Sequence, residues 1–261
     1  MSTNQPILLR SDRDGIATLT LNRPQQRNAL SRALIAELHD ALNKIAADKS
    51  VRVVVIAANG PAFCSGHDLR ELRANTEPTF YDAVFGACSA MMLAIVKLPQ
   101  PVIARVHGVA TAAGCQLVAS CDLAVASEQA RFATSGIDVG LFCATPGVAV
   151  SRNVSRKRAF EMLVTGEFID AATALDWGLV NRVVPAEELD AAVERLARTI
   201  AEKSPVAVRA GKRLFAPQLE ASLEEAYALA CETMAQNMLA EDAGEGIDAF
   251  LAKRKPRWRG R

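Results

Sequence analysis

Apolar and polar residues alternate through "IATLTLN" (Ile16–Asn22), as they do along a strand with one buried face. "NRPQQRNAL" breaks the alternation. From Arg32 to Ala47 the period changes, and Leu34, Ile35, Leu38, Leu42 and Ile45 fall on one side of a predicted helix. "VRVVVIAA" (Val51–Ala58) does not alternate at all; such a β-branched run predicts a strand covered on both faces. "PVIARVHG" (Pro101–Gly108), "CDLAVAS" (Cys121–Ser127) and "NRVVP" (Asn181–Pro185) predict further short strands. Strand, turn and helix recur about every 40 to 50 residues, which argues for an α/β fold. After Pro185 the chain reads as helix to its end, through "AEELDAAVERLARTIAEKS" and "LEEAYALACETMAQNML". With no strands left to pack on, these helices are expected to form an appendage or an oligomer contact. A soft boundary near Lys203–Pro205 divides residues 1–203 from 204–261.

Composition narrows the class. A chain of 261 residues, 50% hydrophobic, can bury a sizeable core. Its formal net charge of +1 gives no long-range attraction for nucleic acid, so an anionic ligand must be held by local basic groups. The six cysteines form no CxxC pair and have no histidine at metal-ligand spacing. Several lie in apolar runs, and they are expected to be buried thiols in a reducing compartment. His39, His67 and His107 are far apart and predict no metal site. "MSTNQPILLRSDRDG" lacks the apolar centre of an export signal. The most apolar run, Ala83–Val96, is shorter than the roughly 20 residues of a membrane span. The expected location is the cytoplasm, with no membrane attachment.

Two stretches stand out for chemistry. "AFCSGHDL" (Ala62–Leu69) and "ATAAGC" (Ala110–Cys115) each follow a predicted strand and lead into a predicted helix. Free backbone N–H groups gather at such turns and favour negative charge. Two readings stand side by side: ordinary turns packed closely, or one donor from each turn forming an oxyanion hole. The small residues of Gly108–Cys115 suggest a ligand pressed against the backbone. Gln116 follows them, and an amide neither takes nor gives a proton near neutral pH. No GxGxxG, GK[ST] or GxSxG pattern accompanies these turns, which removes the usual dinucleotide, P-loop and serine-hydrolase readings.

"NRPQQRNALS", "AFCSGHDL", "VHGVATAAGCQLVASCDLAVAS", "RFATSGIDVGL", "LVTGEFIDAATALDWGLVNRVVP" and "AFLAKRKPRW", in that order, resemble the enoyl-CoA hydratase/isomerase, or crotonase, superfamily over nearly the whole chain. "ATAAGCQLVASCD" and "VGLFCATPGVA" narrow the resemblance to one subgroup. The resemblance implies a crotonase-like spiral of ββα repeats with a C-terminal helical region, assembled as a homotrimer or hexamer. It implies a coenzyme A thioester as substrate and no permanently bound cofactor. The thioester oxygen would be held, as it becomes an enolate, by the backbone N–H groups of His67 and Ala113. The family's two hydratase glutamates fall on Gln116 and Gly136, so both are absent. Asp138, two residues past the second position, is the nearest carboxylate, with a turn-capping or solvated charge as its plainer reading. The His67 ring could also act as an acid or base, or could point away. Cys64 and Cys143 read as inert buried thiols rather than nucleophiles. For the coenzyme, the resemblance implies Arg27, Ala29, Ser65, His67, Asp68, Leu69 and Lys253, with Arg23 and Arg70 beside them. "KRKPRWRGR" (Lys253–Arg261) reads equally as a solvated basic run. The alanine at position 113 costs energy if its φ is positive and only narrows the pocket if it is helical.

Overall fold

After an initial hairpin, the chain divides its strands between two sheets, and that division places the turns after Cys64 and Thr111 side by side. The structure, a computed structural model, describes residues 5–261; Met1–Asn4, the start of the stretch expected not to be an export signal, lie outside them. β1 (Leu8–Arg13) and β2 (Ile16–Leu21) form a hairpin turned by Asp14 and Gly15, both at positive φ. Such an Asp-Gly pair suits the tight turn whose twist matches its strands. α1 (Arg32–Ala47) follows, with Ser31 capping it through the Leu34 N–H. Its buried residues are the five that the periodicity singled out.

The repeats then run β3 (Val53–Ala58), β4 (Ala62–Cys64), α2 (Leu69–Ala74) and α3 (Pro78–Lys97); β5 (Val102–Val106), β6 (Val109–Thr111) and α4 (Ala113–Ser120); β7 (Leu123–Ser127), β8 (Arg131–Ala133), α5 (Ala144–Val150) and α6 (Arg156–Thr165). β9 (Ile169–Asp170), α7 (Ala171–Asp176) and β10 (Arg182–Val184) complete the strands. The larger sheet has the order β1-β2-β3-β5-β7-β10 and the smaller β4-β6-β8-β9. Beyond the first hairpin the larger sheet is parallel. Every residue of β3 is buried, as its unbroken apolar run requires. α4 is buried on all sides, the environment of a central helix.

α8 (Leu189–Ala201), α9 (Pro205–Glu220), α10 (Leu223–Met238) and α11 (Glu241–Leu251) close the chain. The first of them corrects an expectation. α8 does have strands to pack on: Leu189, Ala192, Val193 and Ala197 form a second core with Val53, Val55, Ile103 and Val125 on the outer face of the larger sheet. α9 is tied to the first core by Lys212, whose Nζ donates to Gln100 O (2.9 Å), Ile95 O (3.1 Å) and Asp122 Oδ2 (2.6 Å). The basic tail Lys253–Arg261 keeps its basic residues exposed but is anchored near its end. Asp242, 1% exposed, accepts the N–H groups of Arg259 (2.6 Å) and Gly260 (3.1 Å), and Trp258 Nε1 donates to Glu202 O (2.7 Å).

Two smaller expectations also change. Cys231 is exposed, on the outer side of α10, whereas the other five thiols are buried as expected. The apolar run Ala83–Val96 belongs to a helix of 20 residues, long and apolar enough on those counts to cross a membrane. One face of that helix is fixed in the core through Val84, Cys88, Met91, Met92 and Ile95.

Candidate active site

After β4 the chain runs beside Arg27–Leu30. Ser65 N–H donates to Arg27 O (3.1 Å), Leu30 N–H to Gly66 O (2.7 Å) and Asp68 N–H to Leu30 O (3.2 Å). This is a short parallel bridge. In such a ladder alternate N–H groups face the partner, so the His67 N–H is turned away and meets no acceptor among the described residues. Ala113 is the first residue of α4, where the N–H has no partner within the helix. It too meets none among the described residues. The two turns touch: a Cβ added to Gly66 would stand 3.3 Å from Ala113 N. Two backbone N–H groups without partners among the described residues therefore lie on adjoining turns at the head of a buried helix.

The alanine question is settled by this geometry. Ala113 is helical; it is Ala112 that has positive φ (φ 51°, ψ −120°), anchored by its N–H to Ala133 O at 3.0 Å. The small residues have a second explanation as well. A Cβ at Gly114 would lie 2.1 Å from Cys64 O, so that glycine is demanded by the β4 backbone rather than by a ligand.

The two positions expected from the resemblance to carry glutamates differ from one another. Gln116 is 4% exposed, and its Oε1 has no hydrogen-bond partner. Gly136 lies in a 3-10 turn (Ser135–Val139), where Leu141 N–H bonds to Gly136 O at 2.9 Å. A Cβ there would stand 2.5 Å from Leu141 O and 2.7 Å from Cys143 Sγ. A side chain at the second position would therefore require the Leu141 backbone to shift. Asp138 is exposed, and its carboxylate covers Gly166, where an added Cβ would meet Oδ1 at 2.8 Å.

The thiols are held protonated: burial pushes Cys64 and Cys115 up to about 12, and Cys143 is also raised by burial. That leaves little thiolate for nucleophilic attack. The His67 ring packs edge-on to Phe85, 5.2 Å between centroids. Neither ring nitrogen has a hydrogen-bond partner, and burial lowers the imidazole below its ordinary value.

The coenzyme candidates are spread around the same bridge. Arg27 is exposed at positive φ, Ala29 is buried, and Leu69 is 53% exposed at the start of α2. Asp68 caps α2 through the N–H groups of Arg70 (3.2 Å) and Glu71 (3.3 Å) and pairs with Arg23 at 3.1 Å. Burial raises the Asp68 carboxyl, but Arg23 and the capping N–H groups outweigh it and hold it below the usual range. Arg23 also donates to Ala29 O at 2.5 Å, so its guanidinium braces the loop instead of facing outward. Lys253 lies beyond α11, exposed and at positive φ. A further residue was missed from the sequence. Asn28 is fully buried, and its side chain accepts from Arg23 N–H and donates to Asn59 O and Ala62 O, each at 2.8 Å. An asparagine before an apolar pair in a turn was its only signal.

The fold is mixed α/β, with two unpartnered backbone N–H groups at the start of a buried helix. The chain belongs to the enoyl-CoA hydratase/isomerase family, whose sequence profile matches residues 11–261. It is 49% identical over 253 residues to the enoyl-CoA hydratase domain-containing protein 3, mitochondrial, of Xenopus laevis, covering 97% of this chain and 86% of that one. Among solved structures it resembles an enoyl-CoA hydratase of Mycobacterium smegmatis (58% identity, TM-score 0.96, 97% and 99% of the two chains). It resembles human enoyl Coenzyme A hydratase domain-containing protein 3 almost as well (48% identity, TM-score 0.95, 97% and 100%). The subgroup resemblance carried by Ala110–Asp122 and Val139–Ala149 is to these domain-containing proteins 3. The cytoplasmic expectation is overturned: the curated relatives of this name, 46% to 49% identical, are named mitochondrial. The polar N-terminal stretch spoke only against export and carried no information about an organelle.

Proposed function

We propose that this protein binds an acyl-CoA thioester with its carbonyl oxygen on the His67 and Ala113 N–H groups and stabilises the enolate formed there. The observation that carries the reading is the pair of unused backbone donors on touching turns. Loss of one such donor typically costs about 2.7–4 kcal/mol of transition-state stabilisation. The activity is of the enoyl-CoA hydratase/isomerase kind, without the two-carboxylate mechanism of hydration. Gln116 orients the acyl group or a water, and the closed Gly136 turn forms a wall instead of delivering a base. Isomerisation or decarboxylation suits such a site better than hydration, since loss of CO₂ from a malonyl-type thioester needs an enolate sink and little base. Arg27, Ala29, Ser65, Leu69 and Lys253 border the coenzyme, Asp68 fixes the bridge, and Asp138 stays outside the chemistry.

Residues 1–203 serve as the acyl-CoA-binding core, and 204–261 as a region for oligomer contact and coenzyme covering. Exposed Phe215, Leu219, Leu223, Tyr227 and Met234 on α9 and α10 support a homotrimer or hexamer. A second reading, thioester binding without turnover, is favoured by the amide at 116 and the closure at 136.

The test is crotonyl-CoA with the purified protein, comparing binding with loss of the conjugated-thioester absorbance. Binding of crotonyl-CoA well above that of the matching thioether, with hydration slowed by about 10²-fold or more from ordinary enzyme turnover, is expected. Equal affinity for thioester and thioether would overturn the carbonyl reading. Fast hydration would overturn the departure from two-carboxylate chemistry.

A further inference from the structure

Away from the donor pair, grooves also open on the surface of the described residues. One of 570 Å³ runs along α6 beside Phe160 and Val164, and one of 420 Å³ lies at the strand ends beside Arg105, His107 and Asp190. Nothing in the structure shows what covers the first, and in the second Arg105 is already engaged by Asp190. The unexplained chemistry lies instead at the site. Buried polar atoms in folded proteins are nearly always hydrogen-bonded, and an orphan calls for an explanation. Both nitrogens of the His67 ring and the Oε1 of Gln116 are buried orphans, carried by the two turns that supply the oxyanion donors.

Elimination points the same way. Gln116 cannot move a proton, Gly136 is closed by Leu141 O and Cys143 Sγ, and Asp138 is exposed over Gly166. Cys64 and Cys115 are fully buried thiols held near 12. The Arg23–Asp68 pair, next along the chain, is engaged with itself. Of the residues assembled here, only His67 has a side chain whose ordinary pKa lies near neutrality, and burial lowers it from there. Its packing comes from Phe85 on α3, with Tyr81 stacked 6.4 Å behind, and from the Leu30 backbone across the bridge. No charged side chain acts on it, and burial depresses it.

We propose that the His67 imidazole removes and returns the proton on the carbon next to the thioester carbonyl, while the same residue's backbone N–H holds the carbonyl oxygen. The proposal rests on the thioester reading above. A neutral ring nitrogen takes the α-proton. The C–H electron pair forms the carbon–carbon double bond, and the carbonyl electrons move to the oxygen, giving an enolate on the His67 and Ala113 N–H groups. The imidazolium then returns its proton to carbon. No cofactor or oxidant is required, and one residue supplies both the base and a donor.

Butyryl-CoA in deuterium oxide reads this step directly, as deuterium incorporated at the α-carbon, whichever net reaction the protein catalyses. Wild type is expected to catalyse exchange, with a rate that rises with pH and levels off at a midpoint below the ordinary histidine value. His67→Gln keeps the backbone donor and removes the base. It is expected to bind butyryl-CoA in preference to the thioether as wild type does, yet to lose about 10²–10⁴-fold in exchange. Added imidazole should restore part of the exchange in His67→Ala. Exchange that survives in His67→Gln, or wild type that selects the thioester but exchanges no α-proton, overturns the proposal and leaves the oxyanion reading intact. Loss of selectivity for the thioester in wild type overturns the reading beneath it.

Discussion

Ala112 holds a positive φ without the freedom of glycine, one residue before a proposed oxyanion donor. That conformation costs about 1–3 kcal/mol in a non-glycine residue, against about 0.5–1 kcal/mol for the unfolded-chain entropy of a glycine. Ala112→Gly is therefore expected to stabilise the protein by about 1 kcal/mol, read as a higher midpoint in thermal or urea unfolding. Gln116→Glu sets a different balance. A carboxylate in so buried a place has its pKa raised by desolvation, so the variant should lose stability as pH rises through that raised value. In the wild type the sign is opposite. His67 and His107 are both lowered by burial. The unfolded chain then binds more protons between the lowered values and about 6.5, so stability should rise with pH across that window. Unfolding free energies measured from pH 5 to 7 check the slope. At this scale the sequence was legible where a residue's type sets its chemistry, as with the amide at 116. It was silent on Ala112 and Asn28, because an unusual φ or a three-way hydrogen bond depends on the surrounding chain.

Among elements, α1 and β3 could be read from the sequence because burial imposes a period on one and a solid apolar run on the other. β1 could not. Nearly all of it is exposed, so no hydrophobic pattern marks it, and only its pairing with β2 makes it a strand. The expectation of strandless C-terminal helices failed at α8 because the outer face of β3, β5 and β7 needs a cover, which no local pattern reveals. The turn after β8 carries the sharpest element-scale prediction. Gly136→Ala places a methyl group against Leu141 O and Cys143 Sγ, so it should destabilise the protein by about 1–3 kcal/mol as an overpacked site. Restoring a glutamate at 136 should disrupt the turn and yield no hydratase. A Gly136→Ala variant of wild-type stability would show that the turn opens freely, and the missing carboxylate would then be a matter of side chain alone.

For the whole molecule, α9 is joined to the core by a polar contact. Lys212 and Asp122 meet at 2.6 Å with side-chain exposures of 7% and 29%, and Asp122 Oδ2 also accepts Val102 N–H at 2.6 Å. Burial lowers the lysine and raises the aspartate despite their attraction. Removing one partner strands the other, so Lys212→Met should cost about 3 kcal/mol, toward the lower end for a buried pair because Asp122 keeps some solvent. Urea unfolding of the variant reads that loss. Family and fold were legible in the sequence because the motifs run nearly end to end, whereas the cellular location was misjudged from a stretch that bore on export alone. If the His67 and Ala113 N–H groups hold a thioester carbonyl, as proposed, the carbonyl itself reports on them. Difference infrared spectra of butyryl-CoA carrying a ¹³C-labelled thioester carbonyl, free and bound to the wild-type protein, should show the carbonyl stretch moved to lower frequency on binding, because two hydrogen bonds polarise the bond. A bound carbonyl that absorbs where it does in water, or at higher frequency, would contradict the account.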